Sequence, residues 1–315
     1  MNTRRGHHYA LVDGVRIHWV EMTGPRADAR RPPLVLLHGL NDSYRTWRRV
    51  APLVAGDRRV LMPDLPGHGL SERPDASYEL RWYARLMSRW LETIGLDRCD
   101  LAGHSFGGGV AQAMLLECPE RIRRLALVAS GGLGREVSWL LRLATVPHVV
   151  ERFGQPFMAP CTRLALRAVG NLLGQEDVDR LTSINSQKGS ARAFARTVRD
   201  VINWRGQRRN FFERAGELGR LPAIGIFWGD RDPIIPVDHA RAMESCVEGV
   251  RLTLFEQCGH YPHHEHTASF AAALVRFLDD ATVCPATLRK GEREAVQEAE
   301  EEARVPWSSR PLATG

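Results

Sequence analysis

A serine with a glycine two residues to either side, Gly103-His104-Ser105-Phe106-Gly107, joins a short apolar run to a stretch of helical spacing. No other feature restricts the fold so tightly. A strand is expected at Cys99–Gly103 and a helix over Ser105–Cys118, halted before Pro119. The chain must therefore reverse within a residue or two. Side chains at 103 and 107 would clash across so sharp a turn, and glycine removes them. The serine hydroxyl then projects above the sheet, and the helix start offers N–H groups where negative charge can develop. A glycine-rich turn with a helix-capping serine has the same letters, so the strand–turn–helix setting separates the two readings.

That setting extends along the chain. Leu34–His38 is a continuous apolar run, as a strand buried on both faces has. Arg59–Asp64 contains another. Ile122–Ala129, Ala223–Trp228 and Val250–Phe255 also read as strands, and Val15–Glu21 alternates like an exposed one. Helical spacing covers Tyr78–Ile94, with Gly95 as its stop, and also Val237–Cys246 and Thr267–Asp280. This alternation predicts an α/β fold: a mostly parallel central sheet flanked by helices. After Ser130 the rhythm breaks. Residues 131–219 read as helical throughout and predict an inserted helical cap, with residues 1–130 and 220–281 forming the core. Residues 282–315, with Glu292, Glu294, Glu298, Glu300, Glu301 and Glu302, predict a charged, mobile tail.

Composition enters as a set of exclusions. With 43% apolar and 25% charged residues, the 315-residue chain is neither disordered nor a disulfide miniprotein. No run approaches the apolar length of a membrane span, so no stable membrane insertion is expected. The net charge is +6, but only Lys188 and Lys290 are lysines and the arginines are scattered as pairs. No nucleic-acid partner is expected from that pattern. The six cysteines form no CxxC pair, and no apolar core follows Arg4-Arg5 as a signal peptide needs. A cytoplasmic protein with reduced thiols is expected.

A serine hydroxyl is a weak nucleophile at neutral pH and needs a base. The chain order suited to this scaffold is serine, then acid, then histidine. Trp228-Gly229-Asp230-Arg231-Asp232-Pro233 supplies carboxylates just past one strand, and Cys258-Gly259-His260-Tyr261-Pro262 a histidine just past another. Asp232 is read as the orienting acid and His260 as the base. Asp230 is the rival acid, with turn capping as its plainer role. The backbone N–H groups of Leu40, after His38-Gly39, and of Phe106 are the expected oxyanion donors.

These segments resemble the α/β-hydrolase fold superfamily, and within it the capped bacterial esterases, C–C hydrolases and haloperoxidase-like enzymes. The matching landmarks are HGL at 38–40, PDLPGHGLS at 63–71, GHSFGG at 103–108, WGDRDPIIP at 228–236 and CGHYPHHE at 258–265. The resemblance supports Asp232 over Asp230. It implies a serine hydrolase with a small-molecule substrate and no cofactor. Ring-fission C–C hydrolases of the family carry G-N-S at the elbow and Trp after the histidine, where this chain has His104 and Tyr261. Esters are therefore the expected substrates, with C–C cleavage as the alternative. A weakly catalytic receptor of the same fold is a third reading.

His260, His263, Glu265, His264 and His266 crowd one segment, but neither H-E-x-x-H nor H-x-x-E-H is present, and no metal is expected. His68 reads as a structural loop residue. Trp139, Phe153, Phe157, Trp204, Phe211 and Phe212 in the cap either line an apolar pocket or form the cap's own core. His38, Trp139, Trp204 and Tyr261 are the candidate pocket residues.

Overall fold

A computed structural model describes residues 3–143, 145, 149–168, 175–218 and 220–289. Eight strands form one sheet: β1 (Arg4–Val12), β2 (Val15–Thr23), β3 (Leu34–Leu37), β4 (Arg59–Pro63), β5 (Cys99–His104), β6 (Ile122–Val128), β7 (Ala223–Gly229) and β8 (Arg251–Phe255). Their order is β1-β2-β4-β3-β5-β6-β7-β8. The pairs β1/β2 and β2/β4 are antiparallel and the rest parallel. Seven longer helices accompany them: α1 (Leu80–Thr93), α2 (Phe106–Glu117), α3 (Met158–Ala168), α4 (Gln175–Asn185), α5 (Ser190–Val201), α6 (Asp238–Cys246) and α7 (Thr267–Asp279).

The period-two pattern of the strands splits the core into two layers. Val35, Leu37, Leu61, Leu125 and Leu127 point to one face and pack with Tyr83, Met87, Trp90, Val110 and Met114 of α1 and α2. Leu34, Leu36, Val60, Met62 and Val128 point to the other, against Trp47, Phe270, Leu274 and Phe277. Burial on both faces is why β3 and β7 are apolar without alternation.

Three expectations need correction. Val15–Glu21 is not an exposed strand: β2 lies inside the sheet, and the exposed edge is β1. β1 is rich in Arg and His, so it lacks an apolar run. Its signal was Asp13-Gly14, both at positive φ in a two-residue hairpin closed by Val12 opposite Val15. Residues 131–219 are not helical throughout, because Ile202–Asn203 pairs antiparallel with Gly206–Gln207. Packing also continues beyond 281. Thr287–Leu288 pairs with Val247–Glu248, Ala286 N–H donates to the Pro222 carbonyl at 3.1 Å, and Ala286 is fully buried. A few small apolar residues suffice to hold this segment, although the glutamates that follow dominate its composition. The mobile tail expected over 290–315 lies outside the described residues.

Helices α4 and α5 rest on loops at the carboxyl ends of the strands. Asn185 donates to the Asn41 carbonyl at 3.0 Å, Arg180 to Ser43 Oγ at 2.8 Å and Arg73 to Ser190 Oγ at 2.9 Å. Tyr83 and Thr197 share a buried hydroxyl hydrogen bond of 2.9 Å.

Candidate functional site

The elbow has the strain its sequence implies. Ser105 sits at φ 52° and ψ −119°, a backbone conformation rare for any residue but glycine. Its N–H donates to the Val128 carbonyl at 2.9 Å, and its carbonyl accepts from Gly131 N–H at 3.1 Å, which ties the turn to the end of β6. A Cβ on Gly103 would lie 2.3 Å from the Gly107 carbonyl oxygen, and one on Gly107 would lie 2.4 Å from that of His38. A larger residue at 103 would force the turn apart, and one at 107 would push the elbow off the carboxyl end of β3.

Beside the elbow is a buried ion-pair geometry. His260 Nδ1 lies 2.7 Å from Asp232 Oδ2, with their side chains 2% and 0% exposed. The other carboxylate oxygen accepts from Ile234 N–H at 2.8 Å and Ile235 N–H at 3.0 Å. The carboxylate therefore has partners on both oxygens, and the imidazole is fixed with its Nδ1 proton toward Asp232 and Nε2 free to accept. Glu265 holds the other side of this loop, accepting from Gly259 N–H at 2.8 Å and Tyr261 N–H at 3.1 Å. Asp230 is exposed and accepts from Cys258 N–H at 3.1 Å, a turn-bracing role. The elbow and the histidine loop are joined directly: His104 Nε2 donates to the His260 carbonyl at 2.9 Å. In the sequence His104 stands out only as a departure from a family pattern. Nothing in its sequence context signals this bond, which spans 156 positions.

The loop after β3 closes the other side. A Cβ on Gly39 would lie 3.4 Å from that of Ser105, so Leu40 follows a residue in contact with the elbow. Phe106 opens α2, and the first N–H groups of a helix have no intrahelical acceptor. His38, a candidate pocket residue, has both ring nitrogens engaged. It is fully buried, its Nε2 accepts from Leu65 N–H at 2.9 Å and its Nδ1 donates to the Gly39 carbonyl at 2.8 Å. It braces the loop. Tyr261 is partly exposed, its ring 5.4 Å from that of His260 and 5.0 Å from that of His104. Trp139 and Trp204 are 65% and 61% exposed. Rings so open to solvent fit an outer surface of the cap better than the wall of an apolar pocket, and Phe153 and Phe157 are equally exposed. Of the cap aromatics, Phe211 is the one buried in the core.

The crowded histidines are separated by function. His263 and His264 both meet Thr46 Oγ1 at 3.0 Å through Nε2. Among the described residues no group of three or more His, Cys, Asp or Glu is placed to hold a metal ion. Burial pushes the imidazoles of His104 and His263 well below the usual histidine range and lowers that of His264; it brings His68 down to about 3. His68, His104 and His263 therefore stay neutral in the folded protein where a free imidazole would charge. The unfolded chain takes up their protons below about pH 6.5, whereas the folded chain does not. Stability from this source is complete above that pH and falls below it, each group contributing up to about 1.4 kcal/mol per pH unit. Thermal midpoints measured from about pH 8 to pH 5 are expected to hold level and then fall below about 6.5. A midpoint that rises on acidification would contradict the neutral assignment.

The candidate nucleophile, the Asp232–His260 pair and the Leu40 loop all lie at the carboxyl ends of sheet strands, where open α/β sheets bind ligands. The sequence profile of the alpha/beta hydrolase fold family matches residues 32–267. An uncharacterised protein of Mycobacterium tuberculosis is 33% identical, over 87% of this chain and 85% of its own. The 2-hydroxymuconate semialdehyde hydrolase of a Pseudomonas species is 30% identical, over 79% of this chain and 87% of its own. Among solved structures, Cfl2 from Burkholderia cenocepacia matches with a TM-score of 0.74 at 26% identity, over 87% of this chain and 96% of that one. Sheet order and sequence thus define a single class of fold. The chain belongs to the alpha/beta hydrolase fold family.

Proposed function

We propose that the protein is a serine hydrolase that cleaves carboxylic esters of small to medium apolar substrates through an acyl-enzyme on Ser105. The observation that carries this reading is the buried Asp232–His260 pair, hydrogen-bonded at 2.7 Å beside an elbow that holds Ser105 at φ 52°. In this mechanism Ser105 Oγ attacks the ester carbonyl carbon while His260 Nε2 takes its proton. Asp232 holds the imidazole in the tautomer that can accept, and stabilises the imidazolium that forms. The Leu40 and Phe106 N–H groups receive the negative charge on the former carbonyl oxygen. His260 then protonates the departing alcohol, and water cleaves the acyl-enzyme by the same steps. No step calls for a cofactor.

C–C bond hydrolysis is the second reading. It is favoured by the 30% identity to 2-hydroxymuconate semialdehyde hydrolase. The same attack on a carbonyl carbon would serve, but the departing carbon must be stabilised as a carbanion equivalent, which needs groups beyond these three. His104 is occupied with the His260 carbonyl, and Tyr261 stands where ring-fission relatives carry Trp. Parallel steady-state assays on p-nitrophenyl esters of short to medium acyl length and on ring-fission diketones separate the readings. Esters are expected to show the higher kcat/KM. A diketone value about tenfold above the best ester, about 1.4 kcal/mol of transition-state stabilisation, would establish C–C cleavage instead.

A further inference from the structure

Residues 131–219 hold fourteen Lys and Arg against eight Asp and Glu, a surplus equal to the +6 of the whole chain. The same segment carries five of the ten large hydrophobic residues exposed among the described residues: Trp139, Phe153, Phe157, Leu164 and Trp204. Phe157, Cys161 and Leu164 are all exposed and recur at intervals of four and three, one stripe along the outer face at the start of α3. Met158, on a different face, is buried. Phe153 precedes this stripe by one turn. The helix Trp139–Leu143 packs against Ile202–Asn203, next to Trp204. The only carboxylate within residues 137–168 is Glu151, and it is engaged by Arg196 and Arg199.

Adjoining this apolar surface is an open groove of about 630 Å³, lined by Arg152, Lys188, Arg192 and Arg196 with Asp75 and Glu151. Arg152 stacks on the Phe153 ring at 5.8 Å, so groove and apolar surface share an edge. Both of the groove's carboxylates are already paired with arginine, leaving the surplus positive.

We propose that this face of the cap docks on an anionic lipid surface, with Phe153, Phe157 and Leu164 entering the acyl boundary and the groove of Arg152 and Lys188 seated over headgroup phosphates. Exposed aromatic and aliphatic side chains supply buried apolar area, and arginine and lysine supply attraction to an anionic leaflet. Neither component alone holds a protein on a membrane, whereas two together do. The charge selects the occupant. A second copy of this chain would bring the same cationic surplus against itself, and like charges facing across an interface repel. The docking is peripheral and needs no membrane-spanning helix; none of the helices described is long and apolar enough to be one. It is independent of the roles assigned to Ser105, Asp232 and His260.

Sedimentation of the full chain with vesicles tests this. One set is phosphatidylcholine alone, the other two parts phosphatidylcholine to one part phosphatidylglycerol. Binding to the mixed vesicles is expected to be about tenfold tighter than to the neutral ones and to weaken with salt. Two variants act on separate components: Phe153→Ser with Phe157→Ser and Leu164→Ser, and Arg152→Glu with Lys188→Glu. All five side chains are surface groups, and unchanged circular dichroism with an unchanged thermal midpoint confirms folding. Each variant is expected to lose about tenfold in binding to mixed vesicles. Absence of binding to either vesicle, or binding that both folded variants retain, overturns the proposal. So does a dimer in light scattering that the apolar variant dissolves while vesicles bind neither form, which would assign the face to a second copy.

Discussion

Replacing Ser105 by alanine is expected to lower kcat/KM on the best ester by on the order of 10⁴-fold or more, about 5 kcal/mol of transition-state stabilisation, with the fold intact. The change removes one oxygen from a residue whose backbone is held by Val128 and Gly131, so the turn keeps its hydrogen bonds. The strained φ is imposed by the flanking strand and helix and does not depend on the hydroxyl. Covalent labelling by a fluorophosphonate should disappear with the turnover. Full activity in the alanine variant, with labelling at another serine, would remove Ser105 from the chemistry.

Replacing Asp232 by asparagine should cost about as much, near 10⁴-fold in kcat, while leaving the thermal midpoint close to that of the parent. An amide in that position still accepts from Ile234 and Ile235 through its oxygen. Its NH₂ would then face His260 Nδ1 and favour the tautomer whose proton sits on Nε2, where a base must be empty. The matching change at Asp230 should alter kcat by only a few-fold at most. Asp230 is exposed, and the group it braces, Cys258 N–H, can be satisfied by an asparagine carbonyl just as well. Equal losses at both positions, or a larger one at Asp230, would reassign the acid. Comparing kcat for the two variants under saturating ester decides the matter, since neither carboxylate is expected to bind substrate.

What could be read from the chain alone was whatever is written in short-range pattern. Strands β3 and β7 are legible because burial on both faces makes them continuously apolar, and α1 and α7 because one face is apolar at helical spacing. The elbow is legible because Gly103 answers to a local clash, its Cβ falling 2.3 Å from the Gly107 carbonyl oxygen, whereas the 2.4 Å approach at Gly107 is to the His38 carbonyl oxygen, which the fold brings there. Asp232 and His260 could be picked out because each follows a strand end, and the strand ends of such a sheet converge. Asp232 accepts from its own loop as well, which is why acid and turn are found together in one short segment.

Tertiary structure alone decided matters where the partner is remote or the environment is not local. The edge strand β1 has no apolar run, since one of its faces is given to water, and it is defined by pairing with β2. His104 and the His260 carbonyl meet only because the loop after β8 returns past β7 and β6 to the carboxyl end of β5. Ala286 is buried by Pro222 and the neighbourhood of α6, in a stretch whose composition suggests solvent. The cap aromatics show the limit most clearly. Phe153 and Phe157 have the same chemistry as Phe211, yet two face solvent and one is packed in the core. Hydrophobicity states that a side chain gains by leaving water; it does not state which surface will take it in, and that is settled by which elements the fold places alongside.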